Sequence, residues 1–233
     1  MKKTKIKIIF LLALGAFATI FLMCKAACKT PEQIPQTNTA KQEKITQNPK
    51  EIDWKLTLVN YENKLPDDFQ IELADIDETR KFDARAIGEL NRMFEAMKND
   101  GVNDVWVQSS YRSIEKQRKI FNEQVLKYMN AGKTKEEAEK LTVQVINKPG
   151  TSEHNLGLAV DFNYVDNTFE KTKGFRWLKE NADEYGFILR YPKEKEDITK
   201  VKYEPWHWRY VGKENAKKIK ERGVTLEEYL RAE

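Results

Sequence analysis

Two short stretches of this chain alternate with a period of two, and each lies at one of its only two histidines. In Leu158-Ala159-Val160-Asp161-Phe162-Asn163 the leucine, valine and phenylalanine share one face of a strand, and Ala159, Asp161 and Asn163 the other. In Trp206-His207-Trp208-Arg209-Tyr210-Val211 the three large rings face one way, and His207, Arg209 and Val211 the other. Gly212 closes that second stretch. Such patterns demand a sheet with one face on an apolar core, so the fold must bring strands together before it can bring these side chains together.

Helix signals fill the remainder. Ala84 to Met97 has apolar residues at helical spacing (Ile87, Leu90, Phe94, Met97) and stops near Asn99-Asp100-Gly101. Ser113 caps a long polar helix that runs to about Asn130-Ala131-Gly132, and Thr134 with Glu137 has the spacing of a capping box for a helix to Val145. Further strands are expected at Val105–Ser109 and Gly186–Tyr191, a helix at Lys173–Tyr185, a charged loop at Lys193–Lys202, and two short helices after Gly212. The expected class is α+β: a small, mainly antiparallel sheet with helices packed around it and a metal site on the sheet.

The ends and the composition bound the function. Lys2, Lys3, Lys5 and Lys7 precede an uncharged, mostly apolar run of 17 residues from Ile8 to Cys24, the pattern of a secretory signal or a signal anchor for residues 1–29. The basic start favours an N-terminus inside and the remainder translocated. Ala26-Ala27-Cys28 has the small residues of a lipoprotein processing site, although Lys25 departs from it. Residues 30–50 are rich in Gln, Thr, Lys and Pro and read as a flexible tether, leaving 51–233 as one domain. The expected location is extracytoplasmic: tethered to the cytoplasmic membrane through the N-terminal segment, or periplasmic.

Both cysteines, Cys24 and Cys28, fall in the leader, so any metal in the domain must be held by histidine and carboxylate. Six of the 41 basic residues lie in the leader, leaving 35 against 37 acidic side chains and a net charge of −2 after Lys29. A nearly neutral domain has no electrostatic reason to seek nucleic acid.

Two imidazoles and a carboxylate are the protein ligands of a catalytic zinc site, which keeps a fourth position open for water. His154 and Asp161 are seven residues apart, a loop-to-strand spacing that can converge on one ion, and His207 would arrive from a neighbouring strand. This donor set suits zinc and admits other divalent ions. Glu204 stands three residues before His207 and next to Pro205, so a bend is needed to bring both to one side. With the bend it is a general base; without it, a surface glutamate. Arg112 ends a strand and could stabilise an oxyanion, fork onto a carboxylate, or form a plain ion pair. Ser152 could donate to a carboxylate or form a turn with Gly150. Trp206 and Trp208 read as core.

Four tracts then resemble the VanY-like D-alanyl-D-alanine carboxypeptidases, within the wider group of D,D-dipeptidases and hedgehog-type zinc domains. They are Ser-Ser-Tyr-Arg-Ser (109–113), Pro-Gly-Thr-Ser-Glu-His-Asn-Leu-Gly-Leu-Ala-Val-Asp (149–161), Gly-Phe-Ile-Leu-Arg-Tyr-Pro (186–192) and Glu-Pro-Trp-His-Trp-Arg-Tyr-Val-Gly (204–212). The resemblance implies one zinc ion on His154, Asp161 and His207, and Glu204 as catalytic base. It also implies Arg112 at the scissile carbonyl, and Ser152 and Gln108 at the substrate's terminal carboxylate. The implied substrate is a peptidoglycan stem peptide ending in D-Ala, trimmed by one residue by a monomeric enzyme. Two departures stand out: Asn155 replaces a frequent glutamine, and Ile198-Thr199-Lys200-Val201 lacks a glycine common after that threonine.

Other readings remain on the same scaffold: an L,D-carboxypeptidase, a cross-bridge endopeptidase, or a catalytically silent zinc domain that binds wall. Glu204 argues against the last, since a silent site needs no base beside its ligand.

Overall fold

The two alternating stretches pair with each other. In the computed structural model, which describes residues 53–232, Ala159↔Arg209, Val160↔Trp208 and Asp161↔His207 are antiparallel partners. The expected leader (1–29), the tether (30–50) and the two residues after it lie outside the described residues. Among the described residues no helix is long and apolar enough to cross a membrane.

The elements run in order β1 (Leu73–Asp75), β2 (Lys81–Asp83), α1 (Ile87–Asn99), β3 (Val107–Ser109), α2 (Ile114–Asn130), α3 (Lys135–Thr142), β4 (Ala159–Phe162), α4 (Lys173–Asn181), β5 (Phe187–Leu189), α5 (Glu196–Thr199), β6 (His207–Tyr210), α6 (Lys213–Arg222) and α7 (Leu226–Ala232). The central sheet has the order β3-β4-β6-β5 with every pair antiparallel, and β1 and β2 form a separate hairpin. The fold is α+β, as the mixed signals require.

One face of the sheet carries Val160, Phe162, Trp208 and Tyr210 into the main core, where they join Leu90, Met93 and Met97 of α1 and Trp177 and Leu178 of α4. Ile188 and Val211 join a second cluster with Ala216 and Ile219 of α6 and Leu226 and Tyr229 of α7. Phe121, Val125 and Ala138 make a third cluster that joins α2 to α3. The Thr134–Glu137 capping box is present in full, and Ser113 caps α2 by accepting from the Lys116 amide.

Several boundaries differ from the sequence pattern. The helix expected from Ala84 starts at Ile87, because β2 extends to Asp83 and its carboxylate holds the next turn through the Arg85 amide. The helix expected through Val145 ends at Thr142. The segment 173–185 splits into α4 and a 3-10 turn (Ala182–Tyr185). The charged stretch at 193–202 is not all loop, since it holds a 3-10 turn (Lys193–Lys195) and α5. The hairpin β1–β2 has three-residue strands, too short for alternation to announce.

Two residues without glycine's freedom adopt positive φ: Asn163 at 54° and Lys200 at 58°. Asn163 uses its side chain to tie the edge strand down, accepting from the Trp106 amide at 3.1 Å and donating to the Asp104 carbonyl at 2.7 Å. Lys200, at the second of the two departures, is the C-cap of α5.

Asn163→Ala loses two partly buried hydrogen bonds and keeps the unfavourable φ. It is expected to lower unfolding free energy by about 2–3 kcal/mol in denaturant melts. Lys200→Gly relieves strain at an exposed site and is expected to raise stability by about 0.5–1 kcal/mol, after the entropy that glycine adds to the unfolded chain.

Candidate active site

The cross-strand register places Asp161 and His207 side by side on the sheet. His154 reaches them from a 3-10 turn (Glu153–Leu156) that ends at Gly157, whose φ of 71° turns the chain into β4. A Cβ at Gly157 would lie 2.7 Å from the Ile71 side chain, so the glycine answers both to the φ and to the close approach.

His207 Nδ1 lies 3.0 Å from Asp161 Oδ1, and His154 Nε2 lies 3.2 Å from Asp161 Oδ2. One donor atom from each of the three residues falls within 4.8 Å of the other two, and all three side chains are buried. The two imidazoles present different nitrogens. His154 Nδ1 lies 2.7 Å from the Ser110 carbonyl, which can only accept, so the proton sits on Nδ1 and Nε2 keeps its lone pair. His207 is reversed: Nδ1 faces Asp161, while Nε2 points to Glu153 Oε2 at 3.5 Å.

Six buried side-chain polar atoms lack a hydrogen-bond partner among the described residues: Ser110 Oγ, Arg112 Nε, Glu153 Oε2, His154 Nε2, Tyr191 OH and His207 Nε2. All six sit in or against this cluster. Unpaired buried polar atoms are costly, and their concentration here marks a place that awaits a ligand. Two imidazole nitrogens and a carboxylate, buried and convergent, fit a divalent metal of the zinc type.

Glu204 stands beside this triad. The bend that the sequence requires is a turn with Pro205 at its second position, closed by the His207 amide donating to the Glu204 carbonyl at 3.2 Å. It brings Glu204 Oε2 to 3.8 Å from His207 Nδ1. Burial pushes the Glu204 carboxyl up to about 8, with the negative charge of Asp161 adding to the effect and His207 and Arg112 opposing it. For His207 burial works downward, but hydrogen bonding to Asp161 and Glu153 and the nearby carboxylates prevail and raise it to about 9. Burial and the Arg112 charge hold His154 down at about 4. Asp161 is costly to bury, yet its two histidines keep it well below the usual carboxylate range.

Arg112 lies over the same carboxylate. Its Nη2 is 3.3 Å from Asp161 Oδ2, and its Nη1 donates to Gln117 Oε1 at 2.9 Å. Gln117 in turn donates to the Asn147 carbonyl at 2.7 Å. Asn155, the first departure, bridges two loops: it donates to the Arg112 carbonyl and accepts from the Gly150 amide. Ser152 and Gln108 line the same cavity of about 350 Å³, Ser152 buried and Gln108 at the open rim. Trp206, expected in the core, is half-buried on the cavity wall, whereas Trp208 is core.

Residues that the sequence did not single out complete the site. The Tyr191 ring packs 4.9 Å from that of His207 and lines the cavity, its hydroxyl unpartnered. Glu153 lies behind His207, held by Arg190 Nε at 2.7 Å and Arg209 Nη1 at 2.9 Å. A signal for it existed: Arg190 and Arg209 interrupt apolar, strand-forming tracts, and a buried guanidinium needs a carboxylate.

The model of the family described as VanY, D-alanyl-D-alanine carboxypeptidase, matches residues 79–213. The D-alanyl-D-alanine carboxypeptidase of Enterococcus faecalis (strain ATCC 700802 / V583) is 40% identical over 212 residues, which cover 86% of this chain and 79% of that protein. This chain belongs to the VanY family. Two solved structures share 43% identity with it. One is a mutant of the vancomycin resistance D,D-pentapeptidase VanY from a VanB-type cassette in complex with Zn(II), with a TM-score of 0.69 over 76% of this chain and 99% of that one. The other is VanYB in complex with D-alanine-D-alanine, with a TM-score of 0.72 over 78% and 99%.

In the metal-free site the raised pKa values keep His207 charged and Glu204 mostly protonated at pH 7. The His207–Asp161 pair stabilises the metal-free fold fully below about pH 6.5 and loses that contribution as pH rises through about 9. Metal binding runs the other way, because it needs the lone pair. Calorimetry in buffers of differing ionisation enthalpy is expected to find more than one proton released per zinc at pH 7. Glu204→Gln should release about one fewer.

Proposed function

We propose that this protein is a zinc carboxypeptidase that removes the C-terminal D-alanine from peptidoglycan stem peptides. Family membership supports the reaction class. The observation that carries the chemistry is Glu204: a buried carboxyl with its pKa raised to about 8, turned by Pro205 to stand beside a convergent His-Asp-His set. A general base must first stand within reach of the proton it takes, and the turn at Pro205 puts Glu204 beside the His-Asp-His set.

Zinc held by His154, Asp161 and His207 supplies Lewis acidity, polarising a carbonyl and making water nucleophilic near neutral pH. Glu204 takes the proton from the water that attacks the penultimate carbonyl. When the C–N bond breaks, Glu204 passes that proton to the departing amine of D-alanine. Arg112 is held by Gln117 with its Nε free, and turns donors to the carbonyl oxygen as negative charge develops. Ser152 and Gln108 receive the terminal carboxylate, which restricts cleavage to the last residue. The basic, apolar leader supports an extracytoplasmic enzyme held at the membrane.

Metal-replete protein is expected to release D-alanine from a peptide ending in D-Ala-D-Ala and to stop on chelation. Glu204→Gln should cut kcat by about 10²–10⁴-fold and leave zinc stoichiometry intact. Release from peptides ending in L-Lys-D-Ala but not from those ending in D-Ala-D-Ala would replace this assignment with the L,D-carboxypeptidase. Equal behaviour of wild type and Glu204→Gln would favour a silent domain.

A further inference from the structure

Behind His207, on the side away from the cavity, lies a chain of buried charges that the reaction does not touch. Glu153 Oε1 accepts from both Arg190 and Arg209. Arg190 forks onto Glu227 of α7, with Nη1 donating to Oε2 at 2.9 Å and Nη2 to Oε1 at 2.6 Å. Asn60 donates to the same Glu227 at 3.0 Å. Arg209 spends its other donors on the carbonyls of Lys55, Thr57 and Tyr210. All four charged residues are at most 2% exposed. Two acids against two guanidiniums leave the set neutral.

This arrangement does more than packing requires. Replacing a buried ion network by apolar residues of similar volume is often neutral or stabilising, so stability alone is a weak reason for one. What apolar residues cannot supply is an acceptor for His207. Glu153 Oε2 has no other partner, and neither has His207 Nε2; the two face each other at 3.5 Å, the outer limit of a hydrogen bond. Arg190 also lies over the Tyr191 ring at 4.9 Å, and that ring packs against His207 on the cavity side. The imidazole is thus located from behind by Glu153 and from the side by Tyr191, and Arg190 braces both.

We propose that Glu227 of the C-terminal helix, through Arg190 and Glu153, is a positioning residue for the metal centre, holding the proton of His207 on Nε2 so that Nδ1 faces the metal. The inference rests on the metal reading above. It predicts that a side chain on α7, with no contact to any proposed ligand, sets zinc affinity.

The test uses the full chain and the metal alone. Zinc affinity is measured by chelator competition at fixed pH for wild type, Glu227→Gln and Tyr229→Phe. Tyr229→Phe removes a buried hydrogen bond from the same helix, the one to Asn215 Oδ1 at 2.9 Å, and leaves the charge chain untouched. Loss of a carboxylate behind a metal-binding histidine typically weakens affinity about 10–100-fold, so one residue further back Glu227→Gln is expected to weaken it roughly 3–30-fold. Tyr229→Phe should lower Tm and leave affinity unchanged. In nitrogen-15 spectra of the zinc-loaded wild type, His207 should carry its proton on Nε2, with that signal broadened or shifted in Glu227→Gln. Should Glu153→Gln fold, it should show the larger loss. Equal affinity in wild type and Glu227→Gln, or equal losses in Glu227→Gln and Tyr229→Phe, overturns the positioning role alone. A wild type that takes up no zinc overturns the metal reading and this inference with it.

Discussion

Asp161 and His207 face each other across one antiparallel step, and the remainder of the site is arranged about that pair. A carboxylate and an imidazole buried together are expensive unless each satisfies the other, and breaking such a pair costs about 3–5 kcal/mol. Here Asp161 is shared three ways, by His207, His154 and Arg112. That sharing holds four side chains from separate segments at one point before any ligand arrives. The two histidines part company around it: burial and the Arg112 charge hold His154 down, whereas His207 lies between Asp161 and Glu153 and is raised.

Burial does a second task at Glu204. The same turn that carries it beside His207 removes it from water, so a residue ordinarily ionised at neutral pH holds its proton near the range where a base is useful.

Much of this was legible in the chain. Alternation at 158–163 and 206–211 set Asp161, His207 and Arg209 opposite Val160, Phe162, Trp208 and Tyr210, although Trp206 lines the cavity and Val211 joins the second apolar cluster, and the chemistry of histidine and aspartate named a group that could hold a metal. Capping residues marked α2 and α3 because a cap is a local hydrogen bond between near neighbours. Beyond what alternation shows, β4 and β6 are buried on both faces. The polar face is covered by the triad and the guanidinium network rather than by solvent. The hairpin β1–β2, the short helix α5 and the side-chain bridge of Asn155 gave no such periodic sign.

The sequence by itself determined which residue types could meet a metal, that no thiolate competes with them after Cys28, and which strands would present them. Those follow from short-range rules: strand period, capping and the chemistry of single side chains. Only the tertiary structure decided which nitrogen of each histidine is free, where Arg112 rests, and that Glu153, Arg190, Arg209 and Glu227 stand behind the site. Those choices depend on contacts between residues 37, 56 and 167 positions apart, brought together by packing. No local pattern records such a contact, because the partner that makes a buried charge tolerable lies on another element.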